Sequence, residues 1–303
     1  MNNIYQDISE RTNGDIYIGV VGPVRTGKST FIKNFMEKMI LPQIEDKNEH
    51  KRATDELPQS ADGKIIMTTQ PKFVPNKAVK MSLNDKSTAN VRLIDCVGYI
   101  VDGAEGHLDG DKARLVNTPW SNEPMPFERA AEIGTQKVAS EHSTIAIVVT
   151  TDGSIGDIPR QNYIPAEERV VCELKQVGKP FVVVLNSKQA DSSQTKELAA
   201  TLEEKYGVCV LPLNVAKADE KAMEQILNCV LREFPVRRLA INLPKWMRAL
   251  DKDNRVIASI LDHVKLNAVA IDKMKDADGL LSAFALCDGI ESANITSLDM
   301  GSG

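Results

Sequence analysis

Apolar positions along this chain follow two periods. Between Asp15 and about Phe234, short and nearly continuous apolar runs rich in β-branched residues alternate with stretches whose apolar residues recur every three or four positions. The runs are IYIGVVG, IIMTTQPKFV, VRLID, TIAIVVT, FVVVLN and VCVLPL. A strand that is apolar on both faces is buried on both faces, so the runs predict a mostly parallel sheet and the periodic stretches predict the helices that flank it. The helix opening near Lys28 places Phe31, Phe35 and Met39 at i, i+4 and i+8 and stops before Pro42. Further helices are expected over 126–141, 164–177, 194–206 and 217–233.

Two stretches break the alternation. Residues 48–64 are charged and poor in apolar side chains, and residues 102–126 carry many Gly, Asp and Pro, so both are read as long loops of the functional or mobile kind. Later, Pro235 and Pro244 flank a strand-like VRRLAINL, and Val256, Ile257, Ile260, Leu261, Val264 and Ile271 trace one face of a helix. The expected organisation is an α/β domain over 1–235, followed over 236–303 by the start of a smaller α+β domain.

Composition narrows the functions open to such a fold. With 303 residues, 42% of them hydrophobic, the chain can bury a sizeable core. The net charge of −5 and the scattered Lys and Arg give no basic face, so no nucleic acid partner is expected. No apolar run approaches a bilayer span and MNNIYQDISERTNGD has no apolar signal core, which points to the cytoplasm. Five widely spaced cysteines suggest reduced, mostly buried thiols rather than disulfides or a zinc site.

The chemistry is carried by loops that follow the runs. Gly22-Pro23-Val24-Arg25-Thr26-Gly27-Lys28-Ser29 fulfils G-x-x-x-x-G-K-[ST] between a strand and a helix. In such a turn successive backbone amides, on to Thr30 at the helix N-terminus, face the β-phosphate. Lys28 then bridges the β- and γ-phosphates and the Ser29 hydroxyl ligates Mg²⁺. Asp95-Cys96-Val97-Gly98, at the end of VRLID, has the D-x-x-G spacing in which the acid holds a water of the metal and the glycine amide meets the γ-phosphate. Between the two motifs, Thr68 and Thr69 are candidates for a hydroxyl that reaches the metal when the γ-phosphate is present. Arg25 is placed either to stabilise charge or to make a surface salt bridge.

Base selection should follow FVVVLN. Where a guanine reader has Asn-Lys-x-Asp, this chain has Asn186-Ser187-Lys188-Gln189. Gln189 is neutral and both donates and accepts, so the carboxylate that would accept from guanine is missing and guanine preference should largely collapse in favour of adenine. Asn214-Val215-Ala216-Lys217 occupies the place of the loop that packs on the base. Tyr99 stands where many GTPases carry the glutamine that orients the attacking water. The segment Thr150–Asp157 is either a nucleotide-ordered or subunit-contacting loop or a plain glycine-rich turn.

The order of motifs resembles the translation-factor-like branch of P-loop NTPases. More specifically, GDIYIGVVGPVRTGKSTFIKNFME, DELPQSADGKIIMTTQPKFVPN, DCVGY, AAEIGT, EHSTIAIVVTTDGSIGDI, AEERV and EFPV resemble the stage IV sporulation protein A family, the spore-coat morphogenetic ATPases of endospore-forming bacteria. That resemblance implies ATP and Mg²⁺ as cofactors, with Lys28 as the Walker A lysine, Thr68 and Thr69 as the sensor threonines and Asp95 as the Walker B acid. It implies hydrolysis that drives self-association into a polymer, the basement layer of the coat, in the mother cell at the outer forespore membrane surface. It also implies as partners a small amphipathic membrane-bound peptide and other spore coat proteins, mainly through a C-terminal region that family members carry past residue 303. The rival reading is a GTPase-like switch that signals to an effector without polymerising.

Overall fold

Backbone N–H and C=O groups of a buried run must be paired, and a computed structural model of the chain pairs most of these runs in one sheet. It describes residues 15–58, 70–84, 87–106, 108–109, 112–234, 236, 238–251, 254–269 and 271–276, with 279, 290, 292, 294 and 296. The first half of the described chain forms β1 (Ile16–Val21), α1 (Lys28–Phe35), α2 (Lys47–Asp55), β2 (Lys72–Asn84), β3 (Ser87–Asp95), β4 (Leu108–Asp109), β5 (Lys112–Ala113), β6 (Leu115–Thr118) and β7 (Ser121–Pro126). There follow α3 (Phe127–Lys137), β8 (Ile145–Thr151), α4 (Arg160–Gln176), β9 (Phe181–Asn186), α5 (Ser193–Tyr206), β10 (Val210–Leu213), α6 (Glu220–Arg232) and α7 (Arg255–Ala268).

Six strands form the main sheet in the order β10-β9-β8-β1-β3-β2. β1 is parallel to β3 and to β8, β8 to β9, and β9 to β10. Every residue of β8 and β9 is buried, as their unbroken apolar sequences require. The chain leaves β1 for β3 on one side and β8 on the other, so a crevice opens at the carboxyl end of β1, the usual ligand position in open α/β sheets. Tyr163, Val170 and Leu174 of α4 and Leu202 and Tyr206 of α5 pack with Val21, Ile94, Val148 and Val183 of the sheet. Each such side chain removed from water contributes about 1.5–3 kcal/mol.

One polar cluster lies within this packing. Glu167 of α4 is fully buried and accepts from both Nη atoms of Arg160, at 2.5 and 2.8 Å, from Tyr206 Oη at 2.6 Å and from the Thr150 hydroxyl. It ties the end of β8 to α4 and α5.

Several local expectations need correction. Within 48–64, α2 is a helix because Asp46 caps it, accepting from the amides of Asn48 and Glu49 at 2.8 Å each. Within 102–126, β4 pairs with β5 and β6 with β7 as small antiparallel hairpins. Their strands are short and mostly exposed, so they lack the apolar run that marks a buried strand. Residues 236 and 238–243 of VRRLAINL form no strand. Of the described cysteines only Cys96 is buried; Cys172 is exposed, and Cys209 and Cys229 are half-buried with their Sγ atoms 3.1 Å apart.

The described residues divide into two compact units, one drawn from 1–82 and 88–230, the other from 83–87 and 231–303. In the second, Met247, Ile257 and Ile260 form a small core, and Asn254 caps α7 by accepting from Val256 N at 3.0 Å. Glu233 there is buried and receives the amines of Lys273 and Lys275 at 2.5 and 2.8 Å. Among the described residues no helix is long and apolar enough to cross a membrane.

Candidate nucleotide site

At the end of β1 the chain must turn within one residue. Gly22 does so at φ 136°, and a Cβ there would strike the Val149 carbonyl of β8, so only glycine fits. Val24 drops into the core with Tyr99, Ile158 and Tyr163, and the Thr26 hydroxyl closes the turn by donating to Pro23 O at 3.0 Å. Arg25 is exposed and takes φ 60°. Gly27, at φ 94°, starts α1 with no side-chain cap and no acid in the first turn, and Ser29 and Thr30 follow, half-buried. The positive end of the helix dipole is therefore not neutralised by a carboxylate of that turn.

The second wall comes from β3, whose Asp95 lies opposite Val20 of β1. The Ser29 hydroxyl donates to Asp95 Oδ2 at 3.0 Å. Asp95 Oδ1 is buried with no hydrogen-bond partner among the described residues. Beyond it, Val24 N donates to Tyr99 O at 2.8 Å and Tyr99 N to Gly22 O at 3.3 Å, joining the two motifs through their main chains. Gly98 has φ 97°, and a Cβ there would lie 2.5 Å from Lys28 Nζ. Its amide donates to Thr135 Oγ1 of α3 at 3.1 Å.

Lys28 is buried, and its amine donates to Pro23 O at 2.5 Å. Burial pulls the Lys28 pKa down, against the neighbouring Cys96 and Asp95. Burial pushes the Asp95 carboxyl up, against the Lys28 charge and the Ser29 hydrogen bond. The Cys96 thiol is pushed by burial to about 11 and so stays protonated. An amine and a carboxyl that have both lost water, the amine bonded to a loop carbonyl and the carboxyl keeping one oxygen without a partner among the described residues, form a site that gains when an anion and a cation enter together. The orphaned Asp95 Oδ1 and the Ser29 hydroxyl are hard oxygen donors, which fits a magnesium ion.

The third wall is the rim after β9 and β10. Asn186 Nδ2 donates to Thr26 O at 2.9 Å, and its Oδ1 accepts from Val215 N at 3.1 Å. A Cβ on Gly27 would meet that same Asn186 amide. Asn186 thus braces the phosphate loop against the segment carrying Ala216, which is exposed. Gln189 is exposed as well, its amide donating to Ser187 Oγ at 3.0 Å. The 150–157 segment is bonded to this rim: Ser154 Oγ donates to Asp152 at 2.6 Å and accepts from Lys188 N at 2.9 Å.

Of the residues selected from the sequence, Lys28, Ser29, Asp95 and Gly98 are brought together at the ends of β1 and β3 and Asn186 braces the loop before them, while Val24 lies in the core and Arg25 is exposed. Thr68 and Thr69 lie outside the described residues. Sequence reasoning missed Thr135, although AAEIGT ends on it. It also missed the partners of Tyr99, whose hydroxyl donates to Glu173 of α4 while the Arg169 guanidinium lies 4.3 Å from the ring centroid. Tyr99 is buried and bonded to α4.

Comparison with known proteins gives a consistent result. A family model described as stage IV sporulation protein A, ATPase domain, matches residues 1–235, and one described as the middle domain of that protein matches residues 236–303. Stage IV sporulation protein A of Clostridioides difficile (strain 630) is 50% identical over 302 residues, covering 100% of this chain and 62% of that protein. The protein of that name from Bacillus subtilis (strain 168) is 50% identical over 301 residues, covering 99% of this chain and 61% of its own length. The chain thus spans less than two thirds of the curated relatives it matches. Among solved structures, a mutation variant of SsGBP has a TM-score of 0.40 at 14% identity, covering 74% of this chain and 57% of that one. An S. thermophilus NFeoB mutant bound to GDP has a TM-score of 0.37 at 11% identity, covering 91% of this chain and 84% of that one.

Proposed function

Because this chain belongs to the stage IV sporulation protein A family, with residues 1–235 matching its ATPase domain, we propose that it hydrolyses ATP and uses the turnover to drive its own assembly into the basement layer of the spore coat. The observation that carries the reading is the pairing of Ser29 Oγ with Asp95 Oδ2 at 3.0 Å while Asp95 Oδ1 stays buried with no partner among the described residues and the Lys28 charge acts on the same carboxyl.

In this reading the amides of Gly22 to Thr30 and the N-terminus of α1 hold the β-phosphate. Lys28 would transfer its hydrogen bond from Pro23 O to the β- and γ-phosphate oxygens, and Ser29 and Asp95 are the residues that would hold the cation. Magnesium, when bound, neutralises the charge that builds on those oxygens. Thr68, Thr69 or a neighbouring subunit positions the attacking water, since Tyr99 is engaged with Glu173. Turnover in isolated monomer is therefore slow. Adenine is favoured because Gln189 offers no carboxylate to guanine. Hydrolysis then selects an assembling conformation, for which a differential of about 5.5 kcal/mol between two states is ample. The coat surface at the outer forespore membrane, with an amphipathic peptide and other coat proteins as partners, is the proposed setting.

The test is phosphate release from ATP and from GTP, with and without Mg²⁺, followed together with light scattering. Magnesium-dependent hydrolysis of ATP over GTP, with scattering that rises only under turnover, is expected. Preference for GTP, or fast single-turnover hydrolysis in dilute monomer, would overturn the reading in favour of a switch.

A further inference from the structure

Two donors expected to meet the terminal phosphates are held by acceptors of the chain itself: Lys28 Nζ by Pro23 O at 2.5 Å and the Gly98 amide by Thr135 Oγ1 at 3.1 Å. The first acceptor belongs to the phosphate loop and comes with it. The second comes from α3, a different element, and nothing in a D-x-x-G turn demands it.

Thr135 is fully buried and shares the inner face of α3 with Phe127, Ala130, Ala131 and Gly134. It is the only polar side chain among the buried residues of that helix. A hydroxyl among apolar groups is costly unless it is bonded, so its place there is accounted for by what it bonds, the Gly98 amide and the Cys96 thiol. Both ends of the bond are out of water, and Gly98 lies against Lys28 Nζ, beside the amine that serves the terminal phosphates. An amide has one hydrogen and donates well in one direction.

We propose that Thr135 is a positioning residue that competes with the terminal phosphate of a bound nucleotide for the Gly98 amide, and so sets how strongly the site prefers a triphosphate over a diphosphate. The inference rests on the nucleotide reading above. With a diphosphate, the amide keeps Thr135 as its acceptor. With a triphosphate, it exchanges one acceptor for another, and the net gain is the difference between the two. A ligand shifts an equilibrium only by its differential contacts with the two states, and here the alternative contact is Thr135. The same exchange breaks the bond between the Gly98 turn and α3.

The test compares the full chain with Thr135→Val, which removes the acceptor at nearly constant volume, and Thr135→Ser, which keeps it. Dissociation constants for ADP and for a non-hydrolysable ATP analogue are measured by calorimetry with magnesium present. In Thr135→Val the amide has no acceptor until a γ-phosphate arrives, so preference for the analogue over ADP should rise about tenfold, or about 1.4 kcal/mol. Thr135→Ser should stay close to the unaltered chain. Thermal unfolding gives a second reading: the analogue should raise the midpoint more in Thr135→Val than in the unaltered chain. Should Thr135→Val fail to fold, Thr135→Ala is read by the same criteria. An unchanged preference, or weaker analogue binding in the variant, overturns the proposal while leaving the function standing if the unaltered chain prefers the triphosphate. If the unaltered chain binds neither nucleotide, both readings fall.

Discussion

Lys28 is an amine with almost no access to water and, among the described residues, one carbonyl at hydrogen-bond distance. Asp95 and Cys96 act on it without offsetting the loss of water, so an anion that enters beside it adds stabilisation. Replacing Lys28 with Ala should weaken ATP binding about hundredfold, roughly 3 kcal/mol, with little loss of fold, as calorimetry and circular dichroism would report. The double replacement Thr68→Ala/Thr69→Ala should act differently: binding is retained and turnover lost, and phosphate release at saturating ATP measures it. Retained turnover in that double variant would remove these threonines from the chemistry. At this scale much of the site was legible in the sequence, because G-x-x-x-x-G-K-[ST] and D-x-x-G fix backbone turns as well as side chains. Thr135 was not legible, since its role depends on which atom α3 happens to place over Gly98. No local pattern encodes that contact.

Elements decide what the motifs can reach. Tyr99 follows Gly98 in sequence, yet its hydroxyl donates to Glu173 and its ring lies beneath Arg169, so α4 holds it. Tyr99→Phe should therefore cost about 1–2 kcal/mol of stability, measured by chemical denaturation, and leave hydrolysis per site within about twofold. A collapse of turnover in that variant would return the tyrosine to the reaction. Helices and long buried strands could be anticipated because their apolar periods are strong. α2 and the two hairpins could not, because α2 depends on the Asp46 cap and the hairpin strands have only two to six residues. In all three the signal is carried by turns and caps rather than by burial.

At the scale of the molecule, the buried Glu167 cluster joins strand and helices of the larger unit and makes its stability depend on acidity. Burial would raise the Glu167 carboxyl, but the paired bonds from Arg160, with those from Thr150 and Tyr206, outweigh it and hold the pKa below the usual value. A depressed carboxylate contributes stability that is fully present above its unfolded value, about 4.3, and is lost as the pH falls through the lower folded value. The denaturation midpoint should drop steeply below about pH 4.5. In Glu167→Gln, already weaker at neutral pH by about 3 kcal/mol, that drop should be shallower. The order of the sheet strands could not be read from periodicity, because every buried run presents the same two apolar faces to its neighbours.

The main-chain bonds between Gly22, Val24 and Tyr99 bear on how this candidate site tolerates change. A seam stitched by peptide groups is indifferent to the identity of the side chains along it. Substitutions at Val24 or Tyr99 can then disturb packing on either flank while the phosphate loop and the acid strand stay in register. Sequence drift at those two positions should accordingly alter thermal robustness well before it alters the alignment of Lys28 with Asp95.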